Sequence, residues 1–384
     1  MKIADRINNL PPYVFAAVEK KIAAQEAKGV DVINLGIGSP DLAPPDFIIN
    51  ALYRSASKSD THGYPGYYGT PELRGAIASY YEKRFDVALD PETEIRPLIG
   101  SKEGLANMAL AFVDPDDLAL APDPGYPTYR MGAILADGDY YAMPLLEEND
   151  YLVDFEEIPP DIANKSTILW LNYPNNPTGA VATEDFLRKA VDFAKAYDIV
   201  LCYDNPYCDL TFDGYEAPSV LEIPGAREVT VEFNSLSKTY NMAGWRVGMA
   251  VGNAEAISAL TTVKTNIDSG IFRPLQDAAT AALTADQTWI EERNMIYQRR
   301  RDIILDWLPS LGMSAKPPKG GLYVWAKVPE NTNCDEFAIT LLEEAGVWIT
   351  PGTAFGRHGD GYMRISLCVT EERLREAGER LSDI

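Results

Sequence analysis

The chain has 384 residues, a hydrophobic fraction of 46% and a formal net charge of -23. Its length exceeds what one hydrophobic core sustains and predicts two domains, and the acidic excess argues against nucleic acid or an anionic membrane as a partner. Two histidines and four cysteines without metal-type spacing disfavour a His-based metal site or a Ser-His-Asp triad.

No apolar run approaches the ~18 residues that cross a bilayer, and "MKIADRINNLPPYVF" lacks the apolar stretch of a secretion signal. A cytoplasmic protein is expected. Cys202, Cys208, Cys334 and Cys368 read as buried small hydrophobes, and His62 and His358 as solvated or locally bonded.

In chain order, residues 13 to 28 are alanine-rich with a helical apolar rhythm, and Gly29 follows as a helix stop. From about 95 to 251 short apolar runs alternate with helical segments such as "EDFLRKAVDFAKAY". The runs are "LALA" (118 to 121), "STILWLN" (166 to 172), "IVLCYD" (199 to 204), "VTVEF" (229 to 233) and "VGMAV" (247 to 251). This alternation predicts an α/β domain with a mostly parallel central sheet. Residues 284 to 312 read as one long helix closed by Gly312, its charged face suited to a connector. A strand-helix-strand-strand-helix series then predicts a smaller α/β C-terminal domain.

Ligands of open α/β sheets bind beyond the carboxyl ends of the strands, where this chain places "PDPGYP", "NYPNNPTG", "YDNPY" and "NSLSK". In "IGSKEGLANMALAF", Gly100 and Ser101 stand between a strand and a helix, the setting in which backbone N–H groups hold a phosphate. The alternative is that Ser101 serves only as the helix N-cap. Arg246 and the hydroxyls of Ser235 or Ser237 would complete a phosphate shell. One phosphate, one lysine (Lys238) and one strand-end aspartate (Asp204) together suggest a cofactor.

"NYPNNPTG", "YDNPY" and "SLSKTYNMAGWRVG", with "GYPGYYGTPELR" upstream and "YMRISL" downstream, resemble the pyridoxal-phosphate-dependent aminotransferases of classes I and II, fold type I. The resemblance runs from about residue 10 to the end. It implies an N-terminal arm and part of a small domain over 1–45, a large cofactor-binding domain over 46–285, and a connecting helix with the small domain over 286–384. It implies transamination by ping-pong exchange between an L-amino acid and a 2-oxo acid, such as 2-oxoglutarate, in a homodimer with shared active sites. A lyase of the same fold stays open as an alternative. A non-catalytic cofactor-sensing regulator would need an N-terminal helix-turn-helix, which the sequence does not show.

By the same resemblance Lys238 condenses with the aldehyde of pyridoxal 5'-phosphate and moves a proton between the substrate Cα and the cofactor C4′. Asp204 faces the pyridine nitrogen, Tyr207 and Asn176 the 3′-oxygen, and Tyr126 stacks on the ring. Ser101, Lys102 through its backbone, Ser235 and Arg246 form the phosphate shell, with Tyr64 from the neighbouring subunit. Arg364 takes the substrate α-carboxylate, with Asn176 and the backbone of Gly38 beside it, and Phe355 closes the pocket wall. Cis peptide bonds are expected at Asp123-Pro124 and Asn176-Pro177. "KTNIDSGIFRPLQDAA" (264 to 279) is similar to a stretch of LL-diaminopimelate aminotransferases. Those enzymes commonly place a glutamate where this chain has Tyr67, which leaves aspartate, alanine and aromatic donors open.

Overall fold

Strands send successive side chains to opposite faces of a sheet, and a strand covered on both faces must be apolar on both. In the computed structural model, which describes residues 1–11, 14–382 and 384, the central strands follow this rule. Ile168 and Trp170 join one core, and Leu169 and Leu171 the other.

The strands are β1 (Ile33–Asn34), β2 (Ile95–Leu98), β3 (Leu118–Asp123), β4 (Asp139–Pro144), β5 (Ser166–Leu171), β6 (Val200–Asp204), β7 (Thr230–Ser235), β8 (Gly248–Gly252), β9 (Tyr323–Lys327), β10 (Val347–Trp348), β11 (Thr350–Pro351) and β12 (Tyr362–Ser366). Seven of them form a sheet in the order β2-β8-β7-β6-β5-β3-β4. Only β8 runs against its neighbours, and β7-β6-β5-β3-β4 are parallel. The expected mostly parallel α/β sheet is present. Its covering helices are amphipathic: Glu184–Tyr197 is capped by Thr183, whose hydroxyl accepts from Phe186 N, and turns Phe186, Leu187, Ala190, Val191 and Ala194 inward.

A third core joins the beginning of the chain to its end. Ile22, Ile33 and Leu35 pack with residues from Tyr297 to Leu381, and β1 pairs in parallel with β10. The strands β11, β12 and β9 form a small antiparallel sheet beside it. The helix expected at the start of the chain spans Val14–Glu26, after a single helical turn at Asp5–Asn8, and Gly29 follows with φ +88°, whereas Tyr13 lies outside the described residues.

The long helix expected over residues 284 to 312 is present, but it starts five residues later, at Trp289, after a loop that separates it from the preceding helix. One helix, Arg273–Thr284, ends where Gln287 Nε2 donates to the carbonyls of Ala282 and Ala285 and takes over the role of the next helical turn. A second, Trp289–Trp307, runs on to a short turn closed by Gly312 at φ +65°. Its charged face is buried in part: Arg293, Arg300 and Arg301 are at most 5% exposed. Arg300 pairs with Asp41, and Arg301 with Asp213 and Asp302. Among the described residues no helix is long and apolar enough to cross a membrane, and all four cysteines are buried and unbridged.

Candidate active site

The parallel strands end together, and their following residues line a cavity of about 380 Å³. It gathers Gly38, Ser101, Lys102, Tyr126, Asn176, Asp204, Tyr207, Ser235, Lys238, Arg246 and Arg364, every site residue expected from the sequence except Tyr64 and Phe355. Tyr64 is 92% exposed and stands outside the cavity of its own chain.

Asp204, the last residue of β6, is buried at the cavity floor. Its Oδ2 accepts from the Tyr129 hydroxyl at 2.7 Å, while its Oδ1 is buried with no partner. Burial pushes the carboxyl up to about 7, against the opposing pull of the Tyr129 hydrogen bond. Asn172 holds the strand end by donating to Asp204 O at 2.7 Å and accepting from Asn176 N at 2.8 Å.

Lys238 lies in the four-residue helix Leu236–Thr239 directly after β7. Its Nζ donates to Gly38 O. Burial pushes the amine down to about 8, and the cations of Arg364 and Arg246 act in the same direction. Gly38 has a reason to be glycine: a Cβ there would fall on the Tyr323 hydroxyl. The Tyr207 hydroxyl meets that of Tyr323 at 3.5 Å, and burial, then Tyr323, raises the Tyr207 phenol well above its ordinary value.

At one end of the cavity the helix Ser101–Phe112 begins with Gly100 as N-cap at φ +71°, so Ser101 is not the cap. A Cβ at Gly100 would collide with the Arg246 guanidinium, which lies over the helix N-terminus. Arg246 Nη1 is held by Ala243 O at 2.8 Å and reaches Ser237 Oγ at 3.5 Å. Backbone N–H groups, a guanidinium and the hydroxyls of Ser101, Ser235 and Ser237 thus converge as an oxyanion seat.

Arg364 on β12 marks another part of the cavity. Nη1 donates to Asn176 Oδ1 at 2.9 Å and Nη2 to Gly36 O at 2.6 Å, with the guanidinium 4.0 Å from the Tyr323 ring centroid and 4.5 Å from that of Phe355. Phe355 therefore backs Arg364 rather than forming the cavity wall. Cis peptide bonds occur at Asp123-Pro124 and Asn176-Pro177, as expected, and also at Tyr173-Pro174.

The donor set fits pyridoxal 5'-phosphate on its chemistry: an oxyanion seat, an amine of lowered pKa, and a buried carboxylate oxygen with no partner. That oxygen lacks a hydrogen-bond donor of the kind a protonated ring nitrogen offers. Sequence reasoning missed Tyr129, Asn172 and Tyr323. Tyr129 stands three residues after Tyr126 in "GYPTYR", and nothing local in that spacing marks it.

Comparison with known proteins agrees with this geometry. A family model described as "Aminotransferase class I and II" matches residues 30–381. An LL-diaminopimelate aminotransferase of Dehalococcoides mccartyi is 50% identical over 383 residues, covering 100% of this chain and 99% of that protein. One of Moorella thermoacetica is 49% identical over 381 residues, covering 99% and 98%. Among solved structures, apo-BacF from Bacillus subtilis superposes with a TM-score of 0.96 at 41% identity, covering 100% of this chain and 98% of that one. A Thermus thermophilus aspartate aminotransferase mutant gives a TM-score of 0.93 at 31% identity, with coverage of 100% and 99%.

Proposed function

This chain belongs to the class I and II aminotransferases, and from that premise we propose that its amino donor is LL-diaminopimelate and its acceptor 2-oxoglutarate. The enzyme is a pyridoxal-phosphate-dependent transaminase acting on amino and 2-oxo acids. The observation that carries the donor is the 49% and 50% identity, over full length, to two proteins named LL-diaminopimelate aminotransferase. Transamination, rather than the lyase alternative, is the reaction of the family.

When bound, pyridoxal phosphate supplies a ring that draws off the electron pair left at the substrate Cα. The chain's own residues do the rest. The N-terminal N–H groups at Ser101 and Lys102, with Ser235 and Arg246, would hold the phosphate. Asp204 Oδ1 would keep the cofactor's ring nitrogen protonated, Tyr207 and Asn176 would serve its 3′-oxygen, and Tyr126 would cover the ring. Arg364 takes the substrate α-carboxylate as a two-pronged pair, a geometry that lysine cannot copy. Lys238, neutral for part of the time near pH 8, removes the Cα proton.

The proposal extends to a homodimer in the cytoplasm. Tyr53, Tyr64, Tyr67, Tyr68, Ile267 and Phe272 are large apolar or aromatic side chains, each at least 41% exposed. The loops carrying several of them meet where Gly270, at φ +93°, approaches the carbonyl of Gly66 too closely for any Cβ. A patch of this kind suits a second copy of the chain, whose Tyr64 would complete the phosphate seat.

The test is a screen of amino donors against 2-oxoglutarate and pyruvate. LL-diaminopimelate should be turned over fastest, although Tyr67 stands where a glutamate is common. Far faster turnover of aspartate or alanine would overturn the donor assignment.

A further inference from the structure

Outside the cavity, the helix Trp289–Trp307 carries a buried cation that the chemistry above does not use. Arg293 is 3% exposed and, among the described residues, has no carboxylate within ion-pair distance. Its neighbours on the same helix dock differently, Arg300 on Asp41 and Arg301 on Asp213 and Asp302. Ion pairs would therefore suffice to seat this helix.

Arg293 instead uses all five N–H groups on neutral oxygens. Nη1 donates to Lys238 O at 2.8 Å and to Thr239 O; Nη2 donates to Asp209 O and to Asn294 Oδ1, both at 2.7 Å; Nε donates to Asn294 Oδ1 at 3.2 Å. Asn294 Nδ2 adds a second bond to Asp209 O at 3.0 Å. The Trp289 ring centroid lies 5.4 Å from the guanidinium.

Two loops meet on this one fork. Lys238 and Thr239 end the four-residue helix after β7, whose last carbonyls have no partner within so short a helix. Asp209 ends the turn that follows β6; that turn includes Tyr207, and the strand before it ends in Asp204. A planar guanidinium spans both, whereas a lysine ammonium has three donors on one point.

We propose that Arg293 is a positioning residue for the reaction: it fixes the backbone from which Lys238 extends relative to the segment bearing Asp204 and Tyr207. The inference rests on the reading of Lys238 as the lysine that moves the proton. It makes the Trp289–Trp307 helix part of the catalytic frame.

The experiment compares Arg293→Ala, Arg293→Lys, Asn294→Ala and Lys238→Ala in the loaded enzyme and without cofactor. For Arg293→Ala, kcat should fall about tenfold to a hundredfold, the cost of misplacing a reacting group by about 1 Å. KM for the amino donor should stay within about threefold, because Arg364 is untouched. In cofactor-free protein, the pH midpoint for reaction of Lys238 with trinitrobenzenesulfonate should move away from that of the parent. Added guanidinium should recover part of kcat in Arg293→Ala, and Arg293→Lys should not match the parent.

An unchanged kcat with an unchanged midpoint would overturn the proposal. So would a loss of activity that only tracks the unfolded fraction in thermal melts. If Arg293→Ala does not fold, Asn294→Ala decides, since it removes two of the five acceptor contacts and should shift the same readouts less. Full activity in Lys238→Ala would bring down the reading of Lys238 itself, whereas an inactive Lys238→Ala beside a fully active Arg293→Ala brings down only this inference.

Discussion

Lys238 and Asp204 are pushed toward neutrality by the same cause, removal from water, and each has a measurable consequence. In cofactor-free protein the Lys238 amine should react with an arylating reagent with a midpoint near pH 8, well below the ordinary lysine value. A midpoint above about 10 would contradict the buried seat. Lys238→Ala should lower transamination by orders of magnitude while the fold survives. For Asp204 the folded pKa of about 7 exceeds the ordinary aspartate value of 3.8. The folded state therefore holds its proton through a range where the unfolded chain has lost it, and stability falls as pH rises from about 4 to about 7. The slope is about 1.4 kcal/mol per unit. Asp204→Asn should flatten that part of a cofactor-free stability profile and leave the share due to Glu232, which burial also raises to about 7. An unaltered slope in denaturant titrations would reject the assignment. Lys238 and Asp204 were legible in the sequence because Asp204 ends an apolar run and Lys238 follows one within five residues. Tyr129, Asn172 and Arg293 were not, because their partners are 75, 32 and 55 residues away and only the fold brings them together.

At the scale of elements, the N-terminus of the helix Ser101–Phe112 is the most constrained. Gly100 needs both a positive φ and the space that the Arg246 guanidinium occupies, so Gly100→Ala should strain the turn by about 1–2 kcal/mol and displace Arg246. Affinity for pyridoxal phosphate should fall at least about tenfold, read by fluorescence titration of cofactor-free protein; parental affinity would contradict the seat. The parallel strands announced themselves as apolar runs. The edge strands did not: β2 reads "IRPL" with a buried arginine, and β4 reads "DYYAMP". The loop at residues 285–288 was also hidden, since it depends on a glutamine side chain replacing a helical turn.

At the scale of the molecule, an exposed Tyr64 predicts that sites are completed between chains. Tyr64→Ala and Lys238→Ala chains, unfolded and refolded together, should give about half mixed dimers, each with one intact site. Activity should recover to about a quarter of the parent. If Tyr64 serves its own chain, the mixture will show only the average of the two variants. The pairing of β1 with β10 has a consequence in time as well as space. A ribosome makes Ile33 long before Val347, so β1 must wait, unpaired, until Val347 has left the exit tunnel. The seven-stranded sheet has all its strands once Gly252 has emerged and can form earlier. Stalled nascent chains ending near residue 300 should therefore protect β3 to β8 from protease while the first forty residues are still cut, and the newborn enzyme closes its third core only after β10 has emerged.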